Sequence, residues 1–121
     1  MKIFGHPWLE SEAFYAVFSI EEIAQTPANS LLKLTDLPKN LALAKHCQKN
    51  TLHYALEVSS IKEAMFANLL NATYLLCEKE LAKKLMPIAQ HYLFDTQVLA
   101  YIKEDAIEEM AQSGVDGIVI G

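Results

Sequence analysis

Glu57 lies inside an otherwise apolar run, Tyr54-Ala55-Leu56-Glu57-Val58. Burying a carboxylate is costly unless it is paired or hydrogen-bonded. Glu57 therefore has two readings. As a working group it is a general base, or an acceptor for a ligand's hydrogen bond, with Lys103 as counter-charge or amine. Otherwise it is an outward residue near a strand end, solvated or capping a neighbouring helix. If the apolar runs are parallel strands, more chemistry collects beside it, because ligands of open parallel sheets sit beyond the carboxyl ends of the strands. Those ends are Thr35 and Asp36, then Glu57 with Ser59 and Ser60, then Cys77 and Glu78, then Lys103 and Glu104. Carboxylates, hydroxyls, a thiol and an amine would share one rim, with free N–H groups of the opening helices suited to a small anion. The candidate ligand-binding residues are Glu57, Ser59, Ser60, Asp36, Cys77 and Lys103.

Each candidate also has a structural role open to it. Asp36, Ser60 and Asp105 stand where helix N-caps belong. Cys77 closes an apolar run and fits a buried small residue better than a reactive thiolate. Lys33, between Leu32 and Leu34, fits an edge strand blunted by charge better than a Schiff-base lysine. No Ser/His/Asp order can be assembled from His6, His46, His53 and His91, and no Cys/His spacing matches a zinc site. His46 and Cys47 are neighbours on a helix whose side chains diverge. Lys79, Lys83 and Lys84 with Glu78 and Glu80 form a solvated face, with Glu80–Lys84 at i,i+4. Trp8 is the only tryptophan. It is expected to be buried by an arm folding back over the sheet, or else to pack on a partner.

The elements that must position these groups announce themselves by punctuation. Ser19 precedes Glu22, Ser60 precedes Glu63 and Asp105 precedes Glu108 by three residues, each after a run rich in strand formers. That is the capping-box spacing, in which the first side chain accepts an N–H of the opening turn and the Glu reaches back. Three boxes imply three βα junctions. The spacing predicts strands at 30–35, 54–58, 73–77, 98–102 and 117–120. Helices are predicted from Asp36-Leu37-Pro38 to about Lys49, over 60–70, over 79–92, and from Ile107 to a left-handed cap at Gly114. Pro87 is expected to kink or divide its helix. The 60–70 helix is apolar over more than half its girth and so faces deep packing or a partner. Residues 1–29 form an arm with an uncertain strand, at Lys2–Phe4 or Phe14–Phe18, and a short helix ended near Pro27.

The stretch Glu57-Val58-Ser59-Ser60-Ile61-Lys62-Glu63-Ala64, then Ala67, then Asn71-Ala72-Thr73-Tyr74-Leu75-Leu76, resembles a βαβ unit of phosphate-binding TIM barrels. Ala111-Gln112-Ser113-Gly114-Val115-Asp116-Gly117-Ile118-Val119 is similar to the Gly-Ala/Val-Asp turn before a strand in those barrels. Both are equally similar to units of flavodoxin-like and receiver-like domains. The likeness covers about half the chain. It implies βα architecture and no catalytic residues. Asn71 stands where the barrels have Gly, their glycine-rich phosphate loop is absent, and so is a receiver's acidic pair.

The 121 residues, 52% apolar and 21% charged with a net charge of -5, suit one domain with a real core. Disorder is excluded by the apolar fraction, and no apolar run is long enough to span a bilayer. The acidic balance argues against nucleic-acid binding, which needs a basic face. Met1–Trp8 lacks the apolar stretch of a secretion signal, so a cytoplasmic protein with two reduced thiols is expected. The expectation is a single α/β domain, residues 1–121, with an open, mostly parallel sheet of five or six strands and helices on both faces. The alternative is a half-barrel-like sheet completed by dimerisation, since a closed eight-stranded barrel takes roughly 200 residues or more. No cofactor and no metal are implied. A homodimer is the expected assembly, with a small-molecule anion as candidate ligand and neither nucleic acid nor membrane as partner. Function is then a non-catalytic regulatory or interaction domain acting as an oligomer. The alternative is a small-anion or phosphometabolite-binding protein, or a modest enzyme, with its site at the strands' C-terminal ends.

Overall fold

A computed structural model of the protein describes residues 1–121. Seven strands form one sheet: β1 (Lys2–Phe4), β2 (Phe14–Ala16), β3 (Leu31–Leu34), β4 (Tyr54–Glu57), β5 (Tyr74–Glu78), β6 (Gln97–Ile102) and β7 (Gly117–Ile120). Five helices connect them: α1 (Ile20–Gln25), α2 (Leu41–Lys49), α3 (Ile61–Leu69), α4 (Lys79–His91) and α5 (Ile107–Ser113). Every pairing is parallel, in the order β1-β7-β6-β5-β4-β3-β2. The five strands expected between residues 30 and 121 are all present, and both N-terminal alternatives form strands.

The helices do not divide between two faces. From β2 to β7 each strand is laid down beside its predecessor in the same direction, so right-handed crossovers return every helix to one side. The larger core accordingly joins Leu43, Ala44 and Cys47 of α2, Ala64 and Ala67 of α3, Leu85 of α4 and Met110 of α5 to Tyr54, Leu56, Leu75, Val98 and Ile118 of the strands. The other face has a smaller core with no helical residue: Phe4, Leu31, Ala55, Tyr74, Leu76 and Leu99, flanked by Phe14, Tyr101 and Val119.

That second face is concave, because the open sheet curls. Phe4 on one edge strand and Phe14 on the other have ring centroids 5.2 Å apart, although β1 and β2 form no ladder. The curl thus brings the two edge strands together through side chains alone, without backbone pairing. Gly117 makes room for the curl. A Cβ there would stand 2.6 Å from Leu99 Cδ2 and 2.9 Å from the Lys2 carbonyl oxygen.

Local chemistry explains the element ends. Ser19 accepts from the Glu22 N–H and Ser60 from the Glu63 N–H, each at 3.1 Å. Glu63 reaches back one residue further than a capping box does, accepting from the Ser59 N–H at 3.0 Å and not from that of the N-cap Ser60. The third box does not form: Glu104–Ala106 is a 3-10 turn and Asp105 caps nothing. Asp36 adopts a positive φ of 50°, which cannot open a helix. A turn fills 37–40, and α2 begins at Leu41 instead. Pro87 sits inside a continuous α4. It lies on the solvent face, where water can serve the carbonyl its ring leaves unbonded. Gly114 takes the left-handed conformation, φ 78°, at the end of α5.

Candidate functional site

Strand alternation sends every second side chain to the concave face. Register aligns Lys33 with Ala55, Glu57 with Leu76, and Glu78 with Tyr101. The concave surface is apolar through its middle and becomes polar toward the carboxyl ends of the strands, its mouth. There Lys33, Glu57 and Tyr101 meet. The Tyr101 hydroxyl donates to Glu57 Oε2 at 2.9 Å, and Lys33 Nζ stands 3.5 Å from the same oxygen. The Lys33 ammonium also lies 5.2 Å from the centroid of the Tyr101 ring, within cation–π range. Tyr101 belongs to β6 and Glu57 to β4, roughly 10 Å apart across β5 at standard strand spacing. The phenol spans that gap over Leu76 because the sheet is concave.

Glu57 thus lies on the concave face, where it meets Tyr101 and Lys33 and caps no helix, and its side chain stays partly solvated. Its side chain keeps 39% of its exposure. Oε2 is occupied by Tyr101 and Lys33, and Oε1 makes no hydrogen bond within the chain. Burial, reinforced by the hydrogen bond to Glu57 and its negative charge, raises the Tyr101 phenol well above its ordinary value. Tyr101 therefore stays a hydrogen-bond donor at neutral pH.

The counter-charge of Glu57 is Lys33, not Lys103. β3 lies between β2 and β4, so Lys33 is not the charge of an edge strand; its amine is held on the concave face. Neither Lys33 nor Tyr101 stood out as a site residue in the sequence. The available signal was alternation: Lys33 and Glu57 share the parity of the concave face, one basic and one acidic.

Beside the mouth, a cleft of about 530 Å³ opens at the end of β6, walled by Tyr101, Lys103, Asp105, Ala106 and Lys79. Its size is ordinary for a small-molecule site. Lys79 is engaged by Glu109 at 3.2 Å. Glu109 is also held by Lys83, and these two lysines keep its carboxyl below the usual range. Lys83 pairs with Glu80 as well, at 3.8 Å, so the helix-surface ion pair of Glu80 is with Lys83 and not Lys84. Lys103 has no ion partner and is exposed, which leaves it as the free amine of the cleft.

The other sequence candidates divide. Ser59 and Ser60 are spent on the α3 cap. Asp36 is exposed on the rim, with no side-chain partner. Cys77 points to the helical face, where burial pushes its thiol up to about 12, with Glu78 adding to the rise. It is not part of the mouth. Glu78 alternates onto the concave face and is exposed. No group of three or more His, Cys, Asp or Glu has the geometry to hold a metal, and no helix is long and apolar enough to cross a membrane.

The N-terminal connection is fastened at the same mouth. His6 Nδ1 accepts the Trp8 N–H at 3.1 Å. The ring proton therefore sits on Nε2, which donates to Glu104 Oε1 at 2.8 Å. His6 is buried, while Trp8 is 88% exposed and among the aromatics meets only the His6 ring, in a T-shaped contact. The arm thus turns its indole outward instead of burying it. No family model matches the chain, and no characterised protein is detectably similar to it in sequence.

Proposed function

We propose that the protein is a small-molecule-binding domain whose site is the mouth of the curled sheet and the adjoining cleft. The observation that carries this reading is the Lys33–Glu57–Tyr101 cluster. A carboxylate at the mouth of an apolar concavity is held on one oxygen by a phenol donor and a paired ammonium, and its other oxygen remains open. That free oxygen suits a hydroxyl or amine of a ligand. Lys103 across Tyr101 suits an acidic group on the same molecule. The ligand class is therefore a small hydroxylated or amino-bearing anion, such as a sugar phosphate or hydroxy acid. Binding is favoured over turnover. Lys33 is engaged by Glu57 instead of standing free as a nucleophile, and both thiols are buried.

The test is a thermal-shift screen against phosphorylated metabolites, hydroxy acids, keto acids and nucleotides, run on wild type, Glu57→Gln and Lys103→Ala. A ligand at a hundred times its Kd stabilises by about 2.7 kcal/mol, a shift of roughly 10 °C in a domain of this size. Hits should weaken in both variants. No hit, or hits indifferent to both substitutions, would remove the mouth from consideration.

A second reading, an interaction domain acting as an oligomer, is favoured by one feature. Between α2 and α3 runs an apolar groove of about 470 Å³. Leu41, Phe66 and Leu69 of its lining are all exposed. Exposed apolar patches of this kind mark interaction sites. The two readings concern different surfaces and are compatible.

A further inference from the structure

The apolar groove has a charge signature that selects its occupant. The chain is acidic, yet between Leu37 and Leu56 it carries three lysines and no Asp or Glu. Two lysines, Lys45 of α2 and Lys62 of α3, flank the groove, and neither is ion-paired within the chain. The one carboxylate there, Glu63, is committed to the Ser59 N–H and hydroxyl. The groove therefore asks for apolar side chains accompanied by carboxylates.

The same chain carries that counterpart. Where β2 turns into α1, Phe18 is 60% and Ile20 51% exposed, and Glu21 and Glu22 follow, both without an ion partner. This corner lies at the strand-to-helix end of the domain, as do Leu37, Pro38, Leu41, Lys62 and Glu63 of the groove. On one helical layer, then, an acidic apolar projection stands beside a basic apolar recess. Two copies facing each other across a two-fold axis can exchange these features, residue i meeting j while j meets i.

We propose that the protein forms a homodimer in which the Phe18–Glu22 corner of each copy seats in the α2–α3 groove of the other. Phe18 and Ile20 would meet Phe66, Leu69 and Leu41, and Glu21 and Glu22 would meet Lys45 and Lys62. The inference rests on the oligomer reading and supplies its interface. A concave groove suits a projecting corner better than a flat lipid surface.

The experiment is sedimentation equilibrium of the full chain at low and raised salt. It compares wild type with Lys45→Glu/Lys62→Glu, Glu21→Lys/Glu22→Lys, the fourfold combination, and Leu69→Ser. All substituted side chains lie at the surface or edge, and circular dichroism confirms that each variant is folded. The expected result is a wild-type dimer weakened by salt, a dissociation constant raised at least tenfold in each charge-reversed pair and in Leu69→Ser, and recovery in the fourfold variant. A dimer that persists in both reversed pairs, or is not recovered in the fourfold variant, overturns this interface while leaving oligomerisation intact. A monomer at every concentration overturns both. If that monomer binds an acidic amphipathic peptide, or anionic vesicles, through Lys45 and Lys62, the groove belongs to a foreign partner.

Discussion

The rings of Phe4 and Phe14, on the two unpaired edges of the sheet, lie 5.2 Å apart and tilted by 47°. Parallel edge strands expose unpaired N–H and C=O groups that invite association. Here the connection between β1 and β2 crosses that gap without a helix, and the two phenyl rings pin it. Tyr74 adds an edge-on contact with Phe4 at 5.6 Å, and the Lys2 ammonium donates to the Tyr74 hydroxyl at 2.7 Å. One apolar seam thus lies where the curled sheet brings its two edges together.

The seam should therefore be worth stability out of proportion to its size. Phe4→Ala removes a ring that is 5% exposed and is expected to cost roughly 3–5 kcal/mol. Phe14→Ala, at a half-buried position, should cost less. A double-mutant cycle in urea should give a Phe4/Phe14 coupling of about 0.5–1.5 kcal/mol. Strict additivity would mean that the rings do not hold the edges together.

Gly117→Ala tests the other requirement of the curl. Leu99 can yield to a new methyl group, but the Lys2 carbonyl, 2.9 Å away, is backbone of the neighbouring strand and cannot. The expected cost is about 1–3 kcal/mol, several degrees in Tm. Pairing it with Leu99→Ala should recover little of the loss. Full recovery would place the strain in the Leu99 side chain alone.

Much of this architecture is legible from local signals, and the site is legible only in part. Apolar runs rich in strand formers, the Ser60/Glu63 spacing and the glycine after α5 mark five strands and their helices to within a few residues. The start of α2 is misplaced because Asp36 takes a left-handed conformation, which an Asx-Leu-Pro sequence does not announce. Glu57 stands out because a carboxylate in an apolar run is anomalous. Its partners do not. Tyr101 lies 44 positions away, and only strand order and curvature carry its hydroxyl across β5. Strand order also determines that the helices share one face, and no local pattern contains it.

Within the mouth, stability and function should separate. Lys33 and Glu57 are both partly exposed, and pairs of that kind contribute about 1 kcal/mol or less. Glu57→Gln and Tyr101→Phe are therefore expected to fold with Tm changes of a few degrees. The Tyr101 substitution should weaken ligand binding less than the Glu57 substitution, because it removes an orienting donor and leaves the accepting oxygens. A Glu57→Gln protein that failed to fold would make the cluster a structural ion pair instead of a site.

The thiols give a prediction in alkali. Burial raises Cys47 to about 11 and Cys77 to about 12, from an ordinary 9.0. A folded-state pKa above the unfolded value means the native state holds protons that the unfolded state has lost. Stability is then undiminished below pH 9 and falls as pH rises toward the folded values. Tyr54 and Tyr101, raised chiefly by burial, extend the loss above pH 10, where unfolded tyrosine ionises. Urea titrations between pH 7 and pH 11 should show a decline from about pH 9 in wild type. In Cys47→Ala/Cys77→Ala, which starts from a lower plateau because two buried side chains are trimmed, the decline should begin about one unit later, at the tyrosine range. A thiol reagent at pH 8 should react with neither cysteine until urea unfolds the chain. Rapid modification of the native protein would mean that the helical layer over Cys47 and Cys77 opens far more readily than its packing implies, and the alkaline decline would then be correspondingly small.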